Sequence, residues 1–162
     1  MPLSDFIQLI EKWETTTDVA NQLFEKGHHL LAIPFYEKSL FFSECMFRNA
    51  EHADKLGIHV ISPFSVSCIN MANNFRASGD VENAEPYFMY NVWQLKMLSK
   101  KEGITDSLYW DCVHNWEKAV RQLTVFHQEI HQPLSINFWE DDTYEKIQNA
   151  KEILSMQNAT MN

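Results

Sequence analysis

Glycine and proline are scarce in this chain, with 4 Gly and 5 Pro in 162 residues, against an average usage of roughly 7% and 5%. So few breakers leave room for long helices, and Leu, Phe, Glu, Lys, Met and Gln are there to fill them. No window alternates apolar and polar residues for long enough to argue a sheet. Cysteine is scarce too. Cys45, Cys68 and Cys112 are an odd number with no CxxC. That argues against a disulfide framework and for reduced, mostly buried thiols. Long apolar runs are missing, since none approaches the ~20 residues of a membrane span. Met1-Pro2-Leu3-Ser4-Asp5 has neither the basic start nor the apolar stretch of a signal peptide. Positive charge is in short supply, with 13 Lys and Arg against 22 Asp and Glu, a net charge of -9. Sequence-independent nucleic-acid binding needs clustered Lys and Arg. Attraction to an anionic membrane needs the same. The expectation is a soluble, cytoplasmic protein with neither nucleic acid nor membrane as partner.

What is present is enough apolar mass for a core, 45% hydrophobic and 13% aromatic residues. The length favours one domain over residues 1–162. Phe6, Ile10, Trp13, Thr17, Ala20 and Leu23 recur at spacings of three and four, one face of a helix that starts near Ser4 and stops at Gly27. A second helix carries Ala32, Phe35, Tyr36, Ser39, Leu40 and Phe47 on its buried side and runs long, to Gly57. Pro34 is cheap only in a first turn, so this helix begins near Leu30 or Leu31, or bends there. Ser62-Pro63 reads as N-cap then first helical position of a third helix ending at Ser78. A fourth spans Val81 to about Lys101, with Pro86 under the same constraint as Pro34. Thr105 or Asp106 caps a fifth over residues 105–131, and Pro133 forbids its continuation. Asp142 with Glu145 forms a capping box for a last helix over 142–158, whose narrow apolar stripe suits a terminal cap.

One pattern occurs twice, 52 positions apart. Ala20-Asn21-x-Leu23-x3-Gly27-x4-Ala32-x-Pro34-Phe35-Tyr36 returns as Ala72-Asn73-x-Phe75-x3-Gly79-x4-Ala84-x-Pro86-Tyr87-Phe88. A fixed-period repeat decides architecture before anything else does. The repeat-like units are 4–57 and 62–103. The expected fold is all-α, antiparallel helical hairpins stacked as a short α-solenoid with a C-terminal capping helix.

The small-x6-Gly-x4-Ala-x3-aromatic spacing resembles the tetratricopeptide repeat. Ala20, Leu23, Gly27, Ala32, Tyr36 and Ser39 fall on the signature positions of one repeat, and Ala72, Phe75, Gly79, Ala84 and Phe88 on those of a second. The resemblance implies a concave groove lined by the first helix of each hairpin and completed by the helix over 105–131. Its positions are Thr17, Asp18, Asn21, Phe24 and Glu25 in the first repeat and Ile69, Asn70, Asn73, Arg76 and Ala77 in the second. From these, Thr17, Asn21, Phe24, Ile69, Asn70, Asn73 and Arg76 form the expected peptide-binding set. An Asn amide donates to and accepts from an extended backbone at once. Asn21 and Asn73 are the repeated members that packing does not obviously require, although either can simply hydrogen-bond within its hairpin.

The chemistry of catalysis finds little footing. Cys112 and His114 are two apart and point to different faces of a helix. No HExxH, GxSxG or Gly-rich phosphate loop occurs. Glu140-Asp141-Asp142 lacks calcium-loop spacing. His127 and His131 are spaced four apart, as a metal pair on one helix face would be. A metal-dependent enzyme using them is therefore a minor alternative. The main expectation is a non-enzymatic adaptor or scaffold without a cofactor, binding a protein or peptide. A secretion or assembly chaperone for an apolar client is the second. Trp93, Tyr109, Trp110, Trp116 and Phe126 serve either as packing or as an exposed anchor patch. Phe41-Phe42 raises the further expectation of a homodimer.

Overall fold

The structure is a computed structural model that describes residues 1–130. Met1–Phe126 forms a compact unit of its own. The helices are α1 (Leu3–Glu25), α2 (His29–Phe47), α3 (Ala50–Lys55), α4 (Ile61–Ala77), α5 (Val81–Ser99) and α6 (Asp106–Glu129). Among the described residues there is no strand. The expected capping helix over 142–158 lies outside the described residues.

The two copies of the repeated pattern are two antiparallel hairpins, α1–α2 and α4–α5, stacked through α2 and α4. Each hairpin turns at a glycine with positive φ, 75° at Gly27 and 82° at Gly79. In both turns the glycine N–H donates to the carbonyl of the penultimate helix residue, Phe24 or Arg76. The next residue, His28 or Asp80, donates at 2.9 Å to the carbonyl of Leu23 or Phe75. These paired bonds satisfy carbonyls that a helix end otherwise leaves open, and they require the left-handed residue that glycine supplies. Ala20, Ala32, Ala72 and Ala84 are all fully buried. Their small side chains let the helices approach, while Tyr36 and Met71 fill the centre with Leu23, Phe24, Phe35, Phe75 and Tyr87 packed around them. Phe47 stacks on Phe64 at 4.2 Å, and Phe88 meets Phe126 of α6 at 5.1 Å.

Three boundary expectations are corrected. The second helix does not run to Gly57. It ends at Phe47, and a separate short helix follows from Ala50. Asn49 makes the break, because its side-chain amide donates to the Cys45 carbonyl at 2.9 Å and its backbone N–H to Met46 at 3.0 Å. Pro34 and Pro86 do not sit in first turns. Both lie on the exposed side of the second turn, each six residues after its N-cap, His28 or Asp80. Ser62 is not the N-cap of α4, which starts at Ile61 with Val60 in that position. Its hydroxyl instead reaches Asn115 of α6. Thr105 does cap α6, accepting from the Leu108 N–H at 3.1 Å.

Candidate functional site

α1 and α4 lie side by side, and the C-terminal halves of both, with Tyr36 of α2 as floor, enclose a cleft of about 400 Å³. Asn21, Phe24 and Glu25 line it from α1, and Asn70, Asn73, Arg76 and Ala77 from α4. The heptad-like spacing puts each set on one stripe of its helix. The two stripes face each other because Ala20, Ala32 and Ala72 behind them are small.

Five of the seven residues expected at the site, Asn21, Phe24, Asn70, Asn73 and Arg76, therefore share one cleft. Two do not. Thr17 is buried, and its hydroxyl is 2.6 Å from Ser39 of α2. It looks inward because it follows the buried stripe of Phe6 and Ala20, and the α2 hydroxyl makes its polar atom affordable there. Ile69, its counterpart in α4, is half-buried and lines no part of the cleft. Nor does α6 contribute to the lining. Tyr36 is the lining residue that sequence reasoning assigned only to packing. The available signal was its hydroxyl, since the equivalent position in the second hairpin, Phe88, has none.

Tyr36 donates its hydroxyl to Asn21 Oδ1 at 2.8 Å. Burial, reinforced by the Glu25 carboxylate, pushes the Tyr36 phenol up to about 12, so it stays a neutral donor across the ordinary pH range. That bond fixes the orientation of the Asn21 amide and leaves its NH2 to the cleft. In the second hairpin Phe88 cannot make this bond, so Asn73 lacks a phenol partner. Phe24 packs edge-on against His29 at 5.0 Å. Beneath the cleft, buried Asn74 donates from Nδ2 to the His29 carbonyl at 3.0 Å and ties α4 to the start of α2. The cleft thus presents three amides, one guanidinium, one carboxylate and two aromatic rings.

Other candidates fare differently. Cys68 and Cys112 are fully buried, and burial pushes both thiols up, Cys112 to about 12. Neither is a thiolate nucleophile near neutral pH. His127 lies in the last turn of α6, and His131 lies outside the described residues. Among the described residues no cluster of three or more His, Cys, Asp or Glu side chains is placed to hold a metal. Trp116 and Phe126 are buried, whereas Trp93 is 57% exposed. No helix among the described residues is long and apolar enough to cross a membrane.

A model of the family described as Protein of unknown function (DUF2753) matches residues 11–149, so the chain belongs to that family. No curated protein and no solved structure matches the chain. The resemblance to the tetratricopeptide repeat is overturned as a statement of kinship by this family match. The structure contains the physical reason for the discrepancy. The 52-residue period accommodates α3 between hairpins, where a tetratricopeptide unit of about 34 residues would have no room for it. What the two share is helical-hairpin packing of small residues against aromatics.

Proposed function

We propose, with membership of this family as premise and the chemistry of the cleft as argument, that the protein is a non-enzymatic adaptor or scaffold of the cytoplasm that holds an extended segment of another protein between α1 and α4. The observation that carries the reading is the convergence of Asn21, Asn70, Asn73 and Arg76 on one cleft. An extended chain exposes a donor and an acceptor at every residue. Side-chain amides match both, and so grip main chain with little regard for its sequence. Phe24 and Tyr36 offer apolar contact between the amides. Arg76 and Glu25 add one charge of each sign to the lining. The lining residues pair no nucleophile with a base.

Asn70 and Asn73 are the informative positions, because Asn21 also serves the Tyr36 hydroxyl. Affinity capture from the native host, quantified by mass spectrometry, tests the reading. Asn70→Ala with Asn73→Ala is expected to lower recovery of the partner by about tenfold, the loss that ~1.4 kcal/mol produces. Recovery of every partner at the wild-type level would refute the assignment.

A second reading is favoured by a different observation. Leu30, Leu31, Phe41 and Trp93 are large apolar side chains 78%, 61%, 59% and 57% exposed. A chaperone for a client with exposed apolar segments would use such a surface. It predicts a co-purifying client whose capture survives the Asn70 and Asn73 substitutions and fails when the exposed apolar residues are replaced by Ser.

A further inference from the structure

α1 has a second working face. At about 100° per residue, Glu11, Lys12, Thr15 and Thr16 project from the side of α1 roughly opposite Asn21, Phe24 and Glu25. With Lys38, Phe41 and Phe42 of α2 they line an open groove of about 720 Å³. Its floor is aromatic. The Phe41 and Phe42 rings meet edge-on at 5.7 Å, and Phe41 is 59% exposed. Its threonines offer no free donor, because Thr15 Oγ1 donates to the Glu11 carbonyl at 2.8 Å and Thr16 Oγ1 to that of Lys12 at 2.7 Å. Two ammonium groups belong to the lining: Lys12 Nζ stands over the floor, 5.9 Å from the Phe42 centroid, and Lys38 Nζ lies 5.9 Å from the ring of Phe35, a neighbour outside the groove.

This chemistry is the reverse of the cleft. An extended segment docked here would bury main-chain donors and acceptors against rings and spent hydroxyls, at a cost of a few kcal/mol for each unmet group. A helix satisfies its own backbone and brings only side chains. Charge then selects the helix. In a chain of net charge -9, the groove has two Lys against one Glu, and ammonium groups next to apolar surface favour carboxylates. A second copy of this chain fits less well, because a two-fold contact sets the same Lys12 and Lys38 against themselves.

We propose that the α1–α2 groove docks an acidic amphipathic helix of a partner protein, its apolar stripe on Phe41 and Phe42 and its flanking carboxylates at Lys12 and Lys38. This site is separate from the cleft between α1 and α4.

The test is fluorescence anisotropy of the full chain with a labelled model helix of about 18 residues, apolar at i, i+3, i+4 and i+7 and flanked by Glu, beside a twin with Lys for Glu. The Glu helix is expected to bind at least about tenfold more tightly than the Lys helix at low salt. Phe41→Ala is expected to weaken it by about tenfold. Lys12→Glu with Lys38→Glu is expected to reverse the preference between the two helices. All three side chains are exposed, so circular dichroism and melting of these variants should match wild type. Equal binding of both helices, or binding indifferent to these variants, would overturn the proposal. So would a loss on Asn70→Ala with Asn73→Ala, which would put the helix in the cleft. A concentration-dependent dimer in sedimentation equilibrium that Phe41→Ala abolishes would assign the groove to a second copy and overturn it as well.

Discussion

Hairpins α1–α2 and α4–α5 turn alike and are finished differently inside. Gly27 and Gly79 have matching φ and matching pairs of backbone bonds. Ala20 and Ala32 on one side correspond to Ala72 and Ala84 on the other, all fully buried. The buried polar chemistry between the paired helices is not matched. In the first hairpin, Thr17 meets Ser39, and Ser39 meets Ser67 of α4 at 3.2 Å, where Trp13 Nε1 also donates at 2.8 Å. That chain of hydroxyls joins the two hairpins to each other. In the second, Ile69 stands for Thr17 and Asn91 for Ser39, and Asn91 Nδ2 donates at 2.9 Å to Ser65, a turn away. Tyr36 anchors Asn21, whereas Phe88 leaves Asn73 unanchored. The turn and the small residues make a hairpin, so both copies keep them. The polar pairs decide which neighbour a hairpin touches and what it presents, so the copies diverge there.

If the geometry is equivalent, equal insults should cost equally. Ala20→Leu and Ala72→Leu place three extra carbons in filled space, and each is expected to cost about 1–3 kcal/mol by urea denaturation. A cost at one site and none at the other would break the equivalence. Gly27→Ala and Gly79→Ala put a Cβ at positive φ in otherwise open space. Each is expected to lose about 1–2 kcal/mol from backbone strain alone, and the two losses should agree within ~0.5 kcal/mol.

Tyr36→Phe turns the first hairpin into a chemical copy of the second. The loss of the bond to Asn21 is expected to cost about 1 kcal/mol. The same variant reads out a pH effect. Tyr36 is raised to about 12 by burial and then by Glu25, and Tyr90 to about 12 by burial and then by its hydrogen bond to Glu44. An unfolded phenol ionises near 10. The stabilisation from keeping both neutral is full below that value and is lost as pH rises through about 12. Urea midpoints at about pH 9 and about pH 11 should therefore diverge in wild type and diverge less in Tyr36→Phe. An unchanged divergence would remove Tyr36 from this account.

Much of the frame was legible because it is local. Positive φ at Gly27 and Gly79, the helix faces of α1 and α2 and the Thr105 cap are written within one or two turns of sequence. The Phe47–Ala50 break was also local, but its sign was one Asn able to bond a carbonyl four residues back, with no Gly or Pro to announce it. Thr17 was read both on the inward face of α1 with Phe6 and Ala20 and in the groove set, and what decides between them is non-local. Its helical register fits either face, and only Ser39, 22 positions on, makes the inward one acceptable. Pro63 still falls in the first turn of α4 with the start shifted back by two, because Val60 and Ile61 are both buried and draw the helix back. The cleft lining was legible as far as the α1 and α4 stripes, and Tyr36 escaped because it reaches the cleft across the hairpin.

The central claim is that the α1–α4 cleft grips extended main chain through Asn70 and Asn73. The direct measurement is a 15N-labelled amide and side-chain NH2 spectrum of the full chain titrated with the segment of the captured partner. The account predicts that the Asn70 and Asn73 side-chain NH2 signals and the Arg76 resonances shift first and furthest, and that Asn70→Ala with Asn73→Ala abolishes the response. Shifts confined to residues outside the cleft, with those NH2 signals unmoved at saturation, would contradict it.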